Sequence, residues 1–347
     1  MSTELVSARY SVVTDKCFRC ATCSSLSPGV FAMEDRTARV LRRPGDAAEE
    51  RLCEAARIGC PGHAIAREGS APDAGLPLSG AGEEPLFPRL FDESERVRWR
   101  MVDVPWGAIE KDKVTPAFVR FVREVALSEL TTFSATRRFL TEMADDVDFS
   151  NWAAIWFYEE TKHPEALFRW LSAFGHTVGA RTVARSRVTA PFMRSRTGTL
   201  VMNILSELFA SAGYQDLERA ANEPVLCRVA RHLAGDEARH CAAFFLFSER
   251  AIARSKTPDL ERLQAIKVLY YWVQAADHVE HPVNQFHEKV ASDPELSPVL
   301  RQLGSDYGPV LVRACRMIGT LIGRPLGGPA DVLPALREMS AALGQPA

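Results

Sequence analysis

Hydrophobic spacing changes character along the chain. The first 66 residues carry short alternating runs: residues 8–13 and 37–41 predict strands, with a turn near Asp35, and 64–66 a returning strand. Between them, residues 46–58 repeat at helical spacing, with Leu52, Ala55 and Ala56 on one face and Gly59 as the stop. From about residue 99 the apolar positions recur every three or four residues over long stretches, which predicts extended helices. Thr115-Pro116 opens one that runs to about Glu142, with Val122, Val125, Ala126 and Phe133 on its stripe. Others carry Ala153, Trp156 and Leu167; Leu200, Ile204 and Leu208 within about 197–212; and Ala230, Leu233 and Phe244. Pro164 removes a backbone donor from the second of these and predicts a kink. Residues 67–98 are rich in Gly, Pro and Ser without periodicity and predict a linker. The expectation is a multi-domain chain: a small α+β domain at 1–66, a linker at 67–98, an all-α bundle at 99–325 and a tail at 326–347.

Composition narrows the class little. With 46% hydrophobic residues, 25% charged residues and a net charge of −2 over 347 residues, the chain reads as an ordinary globular protein. Nothing global points to nucleic acid, and no run approaches the ~18 apolar residues of a membrane span. The N-terminus lacks the basic-then-apolar layout of a secretory signal, so a cytoplasmic setting is expected. In such a compartment spaced cysteines bind metal more often than they pair.

Five of the eight cysteines fall in the first 60 residues. Cys17, Cys20 and Cys23 stand at x2 intervals, and Cys60-Pro61 follows later. Three thiolates so spaced can wrap one corner of an iron–sulfur cube, and the fourth closes the cage. Zinc sites usually come as two pairs of ligands, which three cysteines in a row fit poorly. Cys53 reads as a small buried apolar side chain. Residues 8–66, with this cysteine string, Pro-Gly-Val-Phe at 28–31 and Cys60-Pro61, resemble a small bacterial single-cluster ferredoxin. The resemblance implies one [4Fe-4S] cluster on Cys17, Cys20, Cys23 and Cys60.

A second motif occurs twice: Glu160-x-x-His163 and Glu237-x-x-His240. Residues three apart share a helix face, so each pair offers an oxygen and a nitrogen to a metal. Glu129 and Glu207 sit on the apolar stripes of two further helices. One Glu from each of two helices and one Glu-x-x-His from each of two others is the pattern of four-helix di-iron carboxylate proteins. Two irons are therefore expected on Glu129, Glu160, His163, Glu207, Glu237 and His240, although the ligands alone would also accept manganese. Asp236 and Glu159, each next to a ligand, are candidates to hydrogen-bond the imidazoles.

Over about 99–290 the chain resembles the soluble acyl carrier protein desaturases, in Trp152-Ala-Ala-Ile through Glu159-Glu-Thr-Lys-His163, in Asp236-Glu-Ala-Arg-His240 and in Glu129-Leu-Thr-Thr-Phe. This implies a ferritin-like bundle and an oxygen-activating oxidase acting on an acyl-type substrate, with Trp99 on the electron route and an acyl channel bordered by the helix before His281-Pro282. The channel is expected to be lined by Leu269, Trp272, Val273 and Phe286. The family often carries a Thr one turn after the third-helix Glu, where this chain has Ala210, so proton delivery differs. Arg181, Arg185, Arg187, Arg194 and Arg196, without acids among them, suit docking of an acyl carrier protein or a phosphate-bearing substrate. A separate ferredoxin reductase is needed, because no Gly-x-Gly-x-x-Gly follows a strand. The expected function is desaturation or hydroxylation with a fused electron donor, and a homodimer is kept open. N-oxygenation, a rubrerythrin-type peroxidase and a non-catalytic electron-transfer module are the alternatives.

Overall fold

The computed structural model describes residues 9–34, 37–68, 85–187, 195–274, 282–304 and 307–345. At the N-terminus β1 (Arg9–Val12) pairs antiparallel with β4 (Ile65–Glu68), Arg9 facing Glu68 and Val12 facing Ile65. This pairing brings the two ends of the unit together. A second hairpin joins β2 (Phe31–Glu34) to β3 (Thr37–Val40). Two helices, α1 (Thr22–Leu26) and α2 (Ala47–Gly59), complete the unit. The α2 start follows from Asp46, whose side chain accepts from the Glu49 amide at 2.8 Å. Strand β2 was not expected from the sequence.

The rest is helical: α3 (Leu86–Val97), α4 (Pro116–Ser128), α5 (Thr132–Glu142), α6 (Val147–Ser172), α7 (Ala180–Ser186), α8 (Arg196–Ala220), α9 (Pro224–Arg254), α10 (Pro258–Val273), α11 (Pro282–Ser292), α12 (Ser297–Leu303), α13 (Tyr307–Ile322) and α14 (Val332–Ala342). The helix expected from 115 to 142 is two helices, separated by a 3-10 turn at Glu129–Thr131. Helix α6 continues through Pro164 to Ser172. Helices α8 and α9 pack along each other and form the centre. Glu223, which caps α9 by accepting from the Val225 and Leu226 amides, also accepts from the Trp170 indole at 2.7 Å and so ties α9 to α6.

Two expectations are corrected. Part of the segment read as linker is α3, whose buried face carries Leu90, Glu93, Ser94 and Val97; residues 69–84 lie outside the described residues. Half of that face is polar, so no apolar period betrays the helix. The segment read as a tail contains α14, which buries Val332, Ala335 and Leu336 against α10. Nor are the two units independent. Leu26, Phe31 and Ile58 belong to the same apolar core as Ile204, Phe244, Leu269 and Met317. Arg51 of α2 forms an almost fully buried ion pair with Glu249 of α9, and the Arg313 guanidinium donates to the Ile58 carbonyl at 3.0 Å.

Candidate metal centres

The cysteine loop turns through left-handed backbone at Arg19 (φ 60°), Ala21 (φ 61°) and His63 (φ 47°). Such turns curl the chain around a central point and aim amides inward. The Arg19 amide donates to Cys17 Sγ at 3.4 Å, and the Ala64 amide to Cys60 Sγ at 3.3 Å. At Gly62 a Cβ would stand 1.9 Å from the Lys16 carbonyl oxygen, so only glycine lets the Cys60 strand pass this close to the Cys17 strand. Burial pushes the Cys20 thiol up to about 11, and Cys23 is also raised well above its ordinary value. Converting these buried thiols together to thiolates needs a cation among them, and an iron–sulfur cluster would supply it. Cys53 is fully buried and donates to the Ser27 hydroxyl at 3.4 Å, away from this chemistry.

Residues 13–67 match the family model for the 4Fe-4S single cluster domain of Ferredoxin I. The N-terminal unit is a ferredoxin-type domain. Neither a curated protein nor a solved structure matches the chain.

Beside this ferredoxin-type domain, the helices bring six of the expected residues together. Glu129 comes from the turn between α4 and α5, Glu160 and His163 from α6, Glu207 from α8, and Glu237 and His240 from α9. They form two overlapping sets of metal-ligand geometry: Glu129, Glu160, His163 and Glu237, and Glu160, Glu207, Glu237 and His240. Glu160 and Glu237 belong to both, as bridging carboxylates would.

Hydrogen bonding leaves both imidazole Nδ1 atoms free. His163 directs Nε2 to Asp236 Oδ2 at 3.3 Å, and His240 directs Nε2 to Glu159 Oε2 at 3.0 Å. Asp236 and Glu159 thus hold the imidazoles crosswise, each reaching from its own helix to the histidine of the other. The two Nδ1 atoms face the carboxylates, His163 Nδ1 at 3.2 Å from Glu237 and His240 Nδ1 at 2.9 Å from Glu160. Both Nδ1 atoms and Glu160 Oε1 are buried without a hydrogen-bond partner. Orphaned polar atoms of this kind are costly unless something binds them. The residues present therefore fit a pair of metal ions.

Charge bookkeeping supports the same fit. Glu159 and Asp236 share Arg239, which donates to both at 2.7 Å, and Lys162 stands 3.8 Å from Asp236. Among the described residues no Lys or Arg pairs with Glu129, Glu160, Glu207 or Glu237. Burial pushes Glu160 up to about 7, reinforced by the charge of Glu237, and raises Glu207 for the same reasons. Burial favours neutral imidazoles, yet the carboxylates overcome it and raise both His163 and His240. Two divalent ions would neutralise four carboxylates and displace those protons.

Several contributors were not anticipated from the sequence. Tyr214 donates to Glu129 Oε1 at 2.5 Å, Thr132 to Glu160 Oε2 at 3.1 Å and the Trp156 indole to Glu207 Oε1 at 3.0 Å. Tyr214 lies two helical turns after Glu207 and Thr132 one turn after Glu129, a spacing that places each on its ligand's face. Trp99, by contrast, was expected at the site, and it is buried and donates to Asp236 Oδ2 at 2.7 Å.

A cavity of about 190 Å³ opens onto the four ligand carboxylates. Its walls come mainly from α4, α8 and the α11–α13 segment, among them Phe121, Phe209, Ala210, Phe286 and Tyr307. Of the expected channel residues Phe286 lines it. Leu269 is buried in the core instead, and Trp272 packs behind the wall on Phe209, ring centroids 5.2 Å apart, while Val273 packs on the apolar core. Gly213, also in the lining, has no atom within 4 Å of where a Cβ would stand.

Arg196 is held by Asp145 at 2.6 and 2.9 Å, and Arg187 lies over the Phe133 ring at 4.0 Å. Arg181 and Arg185 are exposed on α7, and Arg194 lies outside the described residues.

Proposed function

We propose that the chain is an oxygen-activating di-iron oxidase, of desaturase or monooxygenase type on a ferritin-like bundle, fed by its own ferredoxin-type domain. The two ligand sets sharing Glu160 and Glu237, with both imidazole Nδ1 atoms orphaned toward them, carry this reading. Iron fits a mixed set of carboxylates and imidazoles. A bound iron pair would supply the activation of oxygen for attack on an unactivated C–H bond.

The chain's own residues set the conditions. Asp236 and Glu159 fix the ring planes of His163 and His240 and keep their proton on Nε2, which leaves Nδ1 to ligate. Tyr214 Oη and Thr132 Oγ1 hold protons against ligand carboxylates that face the cavity, where Ala210 offers none. Phe121, Phe209, Phe286 and Tyr307 give an aromatic wall to the side where a substrate would sit. No Lys or Arg is among the described residues lining the cavity, so the lining offers no Lys or Arg partner to an anionic substrate group. A phosphate or carrier protein, if the substrate bears one, stays outside. Arg181, Arg185 and Arg187 are exposed cations for it.

The test is iron content and electron supply in the full chain. Reconstituted protein is expected to hold about six irons, four with sulfide and two without. Cys60→Ser is expected to lose the sulfide-bound irons, keep the other two and lose turnover driven by a ferredoxin reductase. Zinc alone in the carboxylate site after iron-replete expression would sink the reading.

A further inference from the structure

Helix α9 carries a glycine where helices disfavour one. Gly235 is buried in the interior of α9, a position where glycine costs roughly 1 kcal/mol relative to alanine. Close approach of another part of the chain is the usual reason for tolerating it. A Cβ built on Gly235 would stand 3.5 Å from the Cβ of Cys20 and 4.0 Å from the Phe18 carbonyl oxygen. The neighbour is thus the cysteine loop itself. One turn earlier, the Arg231 guanidinium covers the Phe18 ring at 4.8 Å, and the buried Arg51–Glu249 pair holds the same two units further along α9. Gly235 directly precedes Asp236, and Glu237 follows.

We propose that Gly235 is a positioning residue for electron delivery: a residue no larger than alanine at this point of α9 lets Cys20 seat against the helix, so that electrons cross here from the sulfur cluster to the carboxylate site. The proposal rests on the di-iron reading above. Each passage moves one electron. The cluster, reduced beforehand by an external one-electron donor, is oxidised; one ferric ion of the pair is reduced; no bond or proton changes hands. A competing route runs through α3: Ser24 donates to Glu93 at 2.8 Å, the adjacent Ser94 donates to Glu159 at 2.7 Å, and Glu159 meets His240 at 3.0 Å. That route needs three hydrogen bonds and a stretch of α3 backbone. The Gly235 contact needs one van der Waals gap and then runs along α9.

A methyl group fits at 3.5 Å, whereas a longer side chain must push the cysteine loop away. Full-length iron-loaded protein, oxidised under anaerobic conditions and given less than one equivalent of dithionite, is followed by freeze-quench electron paramagnetic resonance. Wild type and Gly235→Ala are expected to lose the reduced-cluster signal as the iron pair fills. Gly235→Leu is expected to retain it, with sulfide and total iron unchanged. Wild-type transfer in Gly235→Leu overturns the proposal alone, as does loss of transfer in Ser24→Ala while Gly235→Leu keeps it. Should Gly235→Leu not fold, the unaltered chain supplies the measurement. With manganese in the carboxylate site, the reduced-cluster signal should saturate at higher microwave power than with zinc. Equal saturation would place the cluster out of range of the carboxylate site and overturn the proposal. A wild-type chain with four sulfide-bound irons and none elsewhere removes the di-iron reading, and this proposal with it.

Discussion

The ferredoxin-type domain and the carboxylate site are assembled in opposite ways. In the first, three ligand positions fall within seven residues, and much of the turn geometry that holds them is written in the same few residues, with left-handed backbone at Arg19 and Ala21; Cys60 and Gly62, packed under Lys16, come from one later segment. In the second, six ligand positions are spread from Glu129 to His240, and no segment makes a site until four helical segments meet. A local site survives damage elsewhere; an assembled one depends on the whole core. Here that core also includes the sulfur-bearing unit, so the contrast in assembly coexists with a shared foundation.

Removing a shared carboxylate tests the contrast most severely. Glu237→Ala deletes a ligand from both sets at once, and the carboxylate site is expected to lose both metals while the sulfide-bound irons stay, as read by metal and sulfide analysis. Retention of one iron would mean that Glu237 serves a single metal. Next in size is the shared foundation. Arg51→Ala strands Glu249 in the interior, and losing one partner of a buried pair costs about 3–5 kcal/mol. Denaturant unfolding followed at both centres should move to lower midpoint together; separate transitions would show two independent bodies.

Asp236→Asn leaves all six ligands in place but weakens the acceptor for His163 and for Trp99. A change of this type costs about 10–100-fold in metal affinity, and competition with a chelator should show it. An unchanged affinity would make Asp236 a packing residue. The smallest effect concerns pH. Glu160 is raised from 4.5 to about 7 in the metal-free fold. A raised carboxyl contributes stability below its unfolded value and loses it as pH rises through the folded one. Metal-free protein should therefore melt at falling temperature between about pH 4.5 and 7, whereas the loaded form, its carboxylates neutralised, should not show that fall.

Legibility in the sequence followed the same division. Strands β1 and β3, helix α2 and the cysteine set stand in local patterns. The repeated Glu-x-x-His could be read because helical spacing converts three residues into one face. Asp236 and Glu159 were readable as neighbours of ligands, but their crosswise pairing required the α6–α9 contact. Tyr214 escaped because nothing at sequence level says which tyrosine faces a carboxylate. Helix α3 escaped because its buried Glu93 and Ser94 satisfy partners from distant segments, Ser24 and Glu159. Arg196 looked like part of a basic surface until Asp145 folded against it.

Glu129 differs from the other candidate ligands in two respects with a kinetic consequence. Its side chain is 13% exposed, against 0% for His163 and 2% for Glu237, and it stands on a 3-10 turn between two helices, not within one. Terminal turns open more readily than helix interiors. In the proposed pair, ions would therefore load and exchange past Glu129, and its two halves would differ in lifetime: the half Glu129 completes would be the gate, and the half completed by Glu207 and His240 the anchor.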